Sequence, residues 1–320
     1  MSISTTPTPG RRTLAILVPV FNEEKCVPLF FDRLQPVLAS LQEDYAVHLV
    51  YLNNASTDGT LAAIHELRTR HVETYVITLS RNAGYQRSLE FGLQHCRADL
   101  FVFIDVDCED PPEMIRDFVD QHHAGFDIVY GERIDRSEPA FIKVLRKVFY
   151  RVLRTIADED IVLDMAEFSL MTAEVRNAVV ADHSSFPFIR ASIGRVGFRR
   201  HGIPYRRLPR IAGETHYNVW RMTTFAVAGL LSASTLLLRV VVYVLPVWLA
   251  MMGWLAWRAA HGRTDDFAML VFVGFAYCGA ALSFACIYLA RVYKNTLGRP
   301  NAFLDSRLSH LPPTFESASR

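Results

Sequence analysis

Asp105, Asp107 and Glu109 alternate at the end of an apolar run, Phe101-Val102-Phe103-Ile104, and Asp110-Pro111-Pro112-Glu113 follows. Residues 100–104 are too few for a free-standing helix and read as a buried strand. The acids then fall where a strand leaves its sheet, the edge at which open α/β sheets bind ligands. On an extended backbone residues i and i+2 point the same way, so Asp105 and Asp107 can face one ion, and Glu109 continues the alternation. Three oxygen ligands suit a hard divalent cation, Mg²⁺ or Mn²⁺, of the kind that carries a substrate diphosphate. The competing reading is a solvated acidic turn with a helix cap. Asp110 is placed to be an N-cap, Pro111 suits N1, and Glu113 completes a capping-box pattern.

The elements that would hold these acids alternate. Residues 14–20 read as a strand, and Phe21-Asn22-Glu23-Glu24 turns into a helix to about residue 42, with Asn22 as its cap. Residues 46–52 form a second strand leading into Asn53-Asn54-Ala55-Ser56-Thr57-Asp58-Gly59-Thr60. There Ser56 reads as an N-cap and Asp58 sits in the positive first turn of a helix to about residue 70. A third strand, 72–79, ends at Ser80-Arg81-Asn82-Ala83-Gly84-Tyr85-Gln86 before a helix to about residue 96. Later strands fall at 127–130 and 162–171, the latter with Glu167 in mid-run. Strand–helix alternation implies βαβ crossovers and a mostly parallel α/β sheet.

The chain has 320 residues and a formal net charge of +1, so nothing global points to nucleic acid. Its five cysteines show no paired spacing, which argues for a reducing compartment. Hydrophobic content is 51%, and the excess lies towards the C-terminus. Residues 240–257 and 267–290 carry no charge and are long enough to span a bilayer. Residues 222–238 are also uncharged but richer in Ser and Thr, and read as an interfacial helix closed by Arg239, with a third span as the alternative. Arg221 and Arg239 before the runs, and Arg291, Lys294, Arg299 and Arg307 after them, favour both ends in the cytoplasm. The basic stripe Lys143, Arg146, Lys147, Arg151 and Arg154 suits either anionic lipid or a solvated face. Arginines between 195 and 210 read as a membrane-proximal phosphate site, because the guanidinium fork binds phosphate in bidentate fashion.

Several segments then match one family in order and spacing. They are Val18-Pro19-Val20-Phe21-Asn22-Glu23-Glu24, Ser56-Thr57-Asp58-Gly59-Thr60, Leu79-Ser80-Arg81-Asn82-Ala83-Gly84 and Asp105-Val106-Asp107-Cys108-Glu109-Asp110-Pro111-Pro112-Glu113. Tyr130-Gly131-Glu132-Arg133, Phe149-Tyr150, Tyr205-Arg206-Arg207 through Arg210, Gly213-Glu214-Thr215-His216-Tyr217, and Tyr293 through Arg299-Pro300 extend the match. The chain resembles the family 2 glycosyltransferases of the GT-A fold, a Rossmann-like mostly parallel sheet with helices on both faces. Within them it resembles the branch that charges polyprenyl phosphates, such as dolichol-phosphate mannosyltransferases and bactoprenol glucosyltransferases. It departs from that pattern at Asn53, Asn54 and Ala55, where aspartates and a glycine are usual, at Glu109 for glutamine, at Glu167 for aspartate, and at His216 for lysine.

The resemblance implies a membrane-bound, inverting enzyme that moves a sugar from a nucleotide diphosphate sugar to a polyprenyl (undecaprenyl or dolichyl) phosphate. It implies Pro19, Phe21, Asn22, Glu23, Asn53, Asp105 and Asp107 at the nucleotide sugar, with Asp105 and Asp107 catalytic. It places Asp105, Asp107 and Glu109 on Mg²⁺ or Mn²⁺, and Arg133, Arg136, Arg207, Arg210 and His216 at the acceptor phosphate. The expected organisation is a lead at 1–12, a cytoplasmic catalytic domain at 13–218, an interfacial helix at 219–239, two transmembrane helices within 240–290 and a cytoplasmic tail at 291–320. That makes a multi-pass inner-membrane protein of cell-envelope polysaccharide synthesis, with a homo-oligomer left open. Two other readings stand beside it. One is transfer to a saccharide or lipid-linked glycan hydroxyl, which needs a base such as Glu167; the other is an inactive membrane scaffold.

Overall fold

The computed structural model describes residues 11–134, 165–181, 188–212, 235–261, 263 and 265–316. Contacts divide them into two compact units: 11–134, 165–181, 188–212 and 300–316 in one, and the described residues from 235 to 299 in the other. Arg136, the basic stripe of 143–154, His216 and most of the 219–239 segment lie outside the described residues.

The first unit is built on strands β1 (Arg12–Val20), β2 (Tyr45–Asn53), β3 (Thr74–Thr78), β4 (Leu100–Phe103), β5 (Ile128–Arg133), β6 (Met165–Thr172) and β7 (Arg200–Tyr205), in the sheet order β3-β2-β1-β4-β6-β5-β7. β3, β2, β1 and β4 are parallel; β5 and β7 are parallel to each other; β6 runs antiparallel to both its neighbours. Helices α1 (Cys26–Leu41), α2 (Thr60–Arg70), α3 (Tyr85–His95), α4 (Met114–His123), α5 (Ala173–Val180) and α6 (Ile189–Val196) complete it.

The period of two in a strand sorts β1 between two cores. Leu14, Ile16 and Val18 join Phe30, Phe31 and Leu34 of α1 and Ile115 and Phe118 of α4. Ala15 and Leu17 join Leu89 and Leu93 of α3, Phe101 and Phe103 of β4 and Val175 of α5. A sheet covered on both faces explains why β1, β2 and β4 read as near-continuous apolar runs. Because β1 to β4 are parallel, the loops after them open on one edge. β1 lies between β2 and β4, so the strand order reverses beside it, and that crevice is where such sheets take ligands.

Two features depart from the sequence expectation. Arg12 belongs to β1, paired with Tyr45, rather than to a lead. Residues 300–316 are not a free tail but return to the first unit: His310 bridges Val76, Leu304 bridges Leu79 and Phe315 bridges Cys96. This strap covers the outer side of β3, an edge that would otherwise present unpaired backbone groups.

The second unit holds α7 (Leu236–Ala260) and α8 (Asp265–Leu297), both long and apolar enough to cross a membrane. Both exceed the charge-free runs, because helix continues through their polar ends. Arg239 lies inside the first turns of α7 and does not close a preceding helix. The two helices touch through Trp248 stacked on Tyr277 at 4.5 Å, and the Tyr277 hydroxyl donates to the Val241 carbonyl at 2.7 Å.

Candidate functional site

Side chains lock the loops after β1 and β2 together. Asn22 Oδ1 accepts from the Thr57 backbone amide at 2.8 Å, and the Asn22 backbone amide donates to Ser56 Oγ at 3.1 Å. The Glu23 amide donates to Thr60 Oγ1 at 2.8 Å, and Glu24 Oε2 accepts from the Gly59 amide at 2.9 Å. Asn22 and Ser56 are therefore not helix caps. α1 begins only at Cys26 and α2 at Thr60, and it is Asp58 that takes the Thr60 amide, at 3.0 Å. Among the described residues, Asn22, Ala55 and Cys108 are the non-glycine residues with positive φ, at 56°, 58° and 56°, and they lie in the loops after β1, β2 and β4 respectively. Each such conformation costs about 1–3 kcal/mol, a cost met elsewhere in the fold and typical of ligand loops. Ala55 sits where the family favours glycine, and its left-handed backbone is the physical reason for that preference.

Asn53 and Asn54 are buried and fully engaged. Asn53 accepts from the Ser56 amide at 3.0 Å and donates to Thr78 Oγ1 at 3.3 Å. Asn54 accepts from the Ala83 amide at 2.8 Å and donates to Asn82 Oδ1 at 3.0 Å. Phe21 is the more exposed member of the expected nucleotide set.

After β4 the backbone turns instead of staying extended. The strand ends at Phe103 and Cys108 is left-handed, so the alternation of acids is broken. Asp105 accepts from the Tyr85 hydroxyl at 2.7 Å, and Asp107 Oδ1 from the Glu109 amide at 3.1 Å. The segment after β7 runs along this turn: the Leu208 amide donates to the Glu109 carbonyl at 2.8 Å and the Ile211 amide to the Asp107 carbonyl at 3.0 Å. That brings Arg207 onto Glu109, and Arg210 onto Glu23 and, at 3.5 Å, onto Asp107. Asp110, expected as a helix cap, is instead buried and ion-paired with Arg133 at 3.2 Å while accepting from the Tyr205 hydroxyl. Glu113 closes no capping box; it meets Arg33 through two bonds of 2.8 and 2.9 Å.

The electrostatics follow from this crowding. Burial, then the Asp110 and Asp107 carboxylates, push the Asp105 carboxyl up to about 7. Burial also raises Asp107 and Glu109, while Arg210 and Arg207 work against it. Burial opposes the charge on Arg133, but Asp110, Tyr205 and Asp105 together outweigh it and the guanidinium pKa rises. Buried acids that repel one another form an oxygen donor set suited to a hard cation. Among the described residues no three His, Cys, Asp or Glu side chains converge as ligands, and Glu109 is turned onto Arg207. The donor set that fits is thus Asp105 with Asp107.

Four side chains escaped the sequence reading. Tyr85 and Gln86 open α3, and the Gln86 amide donates to Glu167 Oε1 at 2.8 Å. Arg190 pairs with the same oxygen at 2.8 Å, leaving Glu167 Oε2 buried without a hydrogen bond among the described residues. Tyr205 completes the Asp110 pair. Tyr85 and Gln86, directly after the third matched segment, and Tyr205, which opens a later one, carried a local signal without a role; Arg190 carried none and meets Glu167 only through the tertiary fold.

The family model "Glycosyl transferase family 2" matches residues 15–193. The bactoprenol glucosyl transferase of Shigella phage SfX is 29% identical over 314 residues, covering 92% of this chain and 99% of the relative. That of Shigella phage SfV is 32% identical over 236 residues, covering 72% and 75%. The mannosyltransferase PcManGT of Pyrobaculum calidifontis, solved in complex with GDP-Man and Mn²⁺, aligns over 89% of this chain and 87% of its own at 20% identity, with a TM-score of 0.46. On the family match, which runs from β1 into α6, the chain belongs to glycosyl transferase family 2 and is a glycosyltransferase built on a mixed, mostly parallel α/β sheet.

Proposed function

We propose that this glycosyltransferase is membrane-anchored and moves a sugar from a nucleotide diphosphate sugar to a polyprenyl phosphate. The observation that carries the reading is the meeting of Asp107 with Arg210 and of Glu109 with Arg207, beside Asp105, at the carboxyl edge of the parallel strands. One side chain set suits a cation-borne diphosphate, the other an anionic acceptor. The near full-length likeness to relatives named bactoprenol glucosyl transferases supports the same acceptor class.

The locked loops after β1 and β2 would seat the nucleotide, with Phe21 exposed at their rim. Asp105 and Asp107 would hold the divalent cation, which when bound supplies charge neutralisation to the departing diphosphate. Arg207, half-exposed, can leave Glu109 for the lipid phosphate, whereas the less exposed Arg133 holds buried Asp110 and shapes the turn. The acceptor is already anionic at neutral pH, so the chemistry needs no strong base, and in-line displacement inverts the anomeric centre.

A second reading, attack by a saccharide hydroxyl, is favoured by the orphaned Glu167 Oε2, a carboxylate oxygen of the kind a base requires. Turnover of a nucleotide-sugar panel against a short polyprenyl phosphate, and separately against saccharide acceptors, tests both. Transfer to the lipid phosphate that survives Glu167→Gln supports the first. Transfer to saccharides alone, lost in Glu167→Gln, overturns it.

A further inference from the structure

The single hydroxyl of Thr78 joins the strap to the nucleotide loops. Thr78 Oγ1 donates its proton to the Leu308 carbonyl at 2.8 Å, and the Thr78 amide donates to Ser309 Oγ at 2.9 Å. With its proton committed, the oxygen can only accept, and Asn53 Nδ2 donates to it at 3.3 Å. A carboxylate at position 53 has no hydrogen to offer there, which explains why asparagine stands in this sequence. The other end of the Asn53 amide takes the Ser56 amide proton, Ser56 Oγ takes that of Asn22, and Asn22 Oδ1 takes that of Thr57. One chain of hydrogen bonds thus runs from the segment after α8 to both loops that face the site. The strap end is itself anchored: Ala302 is buried, the Asp305 amide donates to the Thr78 carbonyl at 2.8 Å, and His310 stacks on Tyr75 at 5.5 Å.

We infer that residues 300–316 set the shape of the nucleotide loop, with Thr78 and Asn53 as positioning residues that transmit the strap to Ser56 and Asn22. Asn53 then acts on the donor through the loop and not by touching the nucleoside. Only the last step, that this loop receives the donor, rests on the proposed function; the relay exists without any ligand.

Two measurements on the full-length protein in detergent test the inference separately. The first is donor kinetics, with UDP-glucose, UDP-N-acetylglucosamine and GDP-mannose as probes and a short polyprenyl phosphate as acceptor. Thr78→Val keeps the shape and removes the hydroxyl, so donor KM should rise roughly three- to tenfold, the range of one or two lost hydrogen bonds. kcat should stay within about twofold, and Thr78→Ser should restore the donor KM. An unchanged KM in Thr78→Val, or a Thr78→Ser variant as impaired as the valine, overturns the positioning role. The second is hydrogen exchange without ligand. In Asn53→Asp the carboxylate draws the Thr78 proton away from Leu308, so exchange at the Asp305 and His310 amides should quicken several-fold. Unchanged exchange there overturns the link to the strap. If the wild type turns over none of the donors, the proposed function is at fault and the exchange result still decides the relay.

Discussion

At the scale of single residues, the site is a set of acids and arginines that pair with each other. Asp107 touches Arg210 and Glu109 touches Arg207, so a cation or phosphate seated there would exchange these partners. Asp107→Ala should therefore lower kcat by orders of magnitude, because it removes an oxygen from the cation site, while the fold survives. Turnover should also stop in excess chelator and return with added Mg²⁺ or Mn²⁺; full activity in chelator would sink the cation site. Arg207 offers a sharper test of the acceptor. Losing a charge-assisted bidentate contact costs about 1.5–3 kcal/mol, so Arg207→Ala should lose roughly ten- to a hundredfold in kcat/KM for the lipid phosphate. Arg207→Lys keeps the charge without the fork and should remain impaired. Donor hydrolysis without acceptor should stay near wild type in both. A normal lipid kcat/KM with weakened donor binding would move Arg207 to the diphosphate.

At the scale of elements, one buried arginine holds a helix end. Arg176 of α5 is 3% exposed and donates to the carbonyls of Leu93 at 2.6 Å, Gln94 at 2.9 Å and Cys96 at 3.2 Å. These are last-turn carbonyls of α3 and its exit, which no intrahelical amide can reach, and a cation there also suits the helix dipole. Arg176→Met keeps much of the apolar stem but strands the carbonyls. It should cost about 3 kcal/mol, or roughly 6–12 °C in Tm for a domain of this size. A Tm within a degree or two of wild type would mean that water replaces the guanidinium. Nothing in the sequence marks Arg176, because its partners lie some eighty residues earlier. The same holds for Asp110 and Glu113: their spacing reads as a helix cap, yet tertiary partners, Arg133 with Tyr205 and Arg33, outcompete the local bond. What was legible is what depends on short range. The apolar runs marked β1 to β4, and the polar clusters after them marked the loops. The break in alternation at Cys108 was not legible, since it follows from the chain turning to meet the segment after β7.

At the scale of the whole molecule, connectivity constrains topology. The described residues of 11–134, 165–212 and 300–316 are hydrogen-bonded parts of one folded unit, so they must lie on the same side of any membrane. The chain between 212 and 300 must then cross an even number of times. α7 and α8, both long and apolar enough for a bilayer, predict two crossings. By the positive-inside rule, Lys294, Arg299 and Arg307 after α8 predict that this common side is the cytoplasm. The test is labelling by a membrane-impermeant maleimide in intact cells, in a background with Cys278 and Cys286 replaced by alanine, because those two thiols lie exposed on α8. A cysteine at Gly262, between the helices, should be labelled from outside. Cysteines at Ser4 and Ser317 should react only after the membrane is opened. Labelling at Ser317 from outside would require an odd number of crossings. That in turn would mean that the strap cannot pair with β3 in the cell, and the fold of the first unit would have to be redrawn along with the topology.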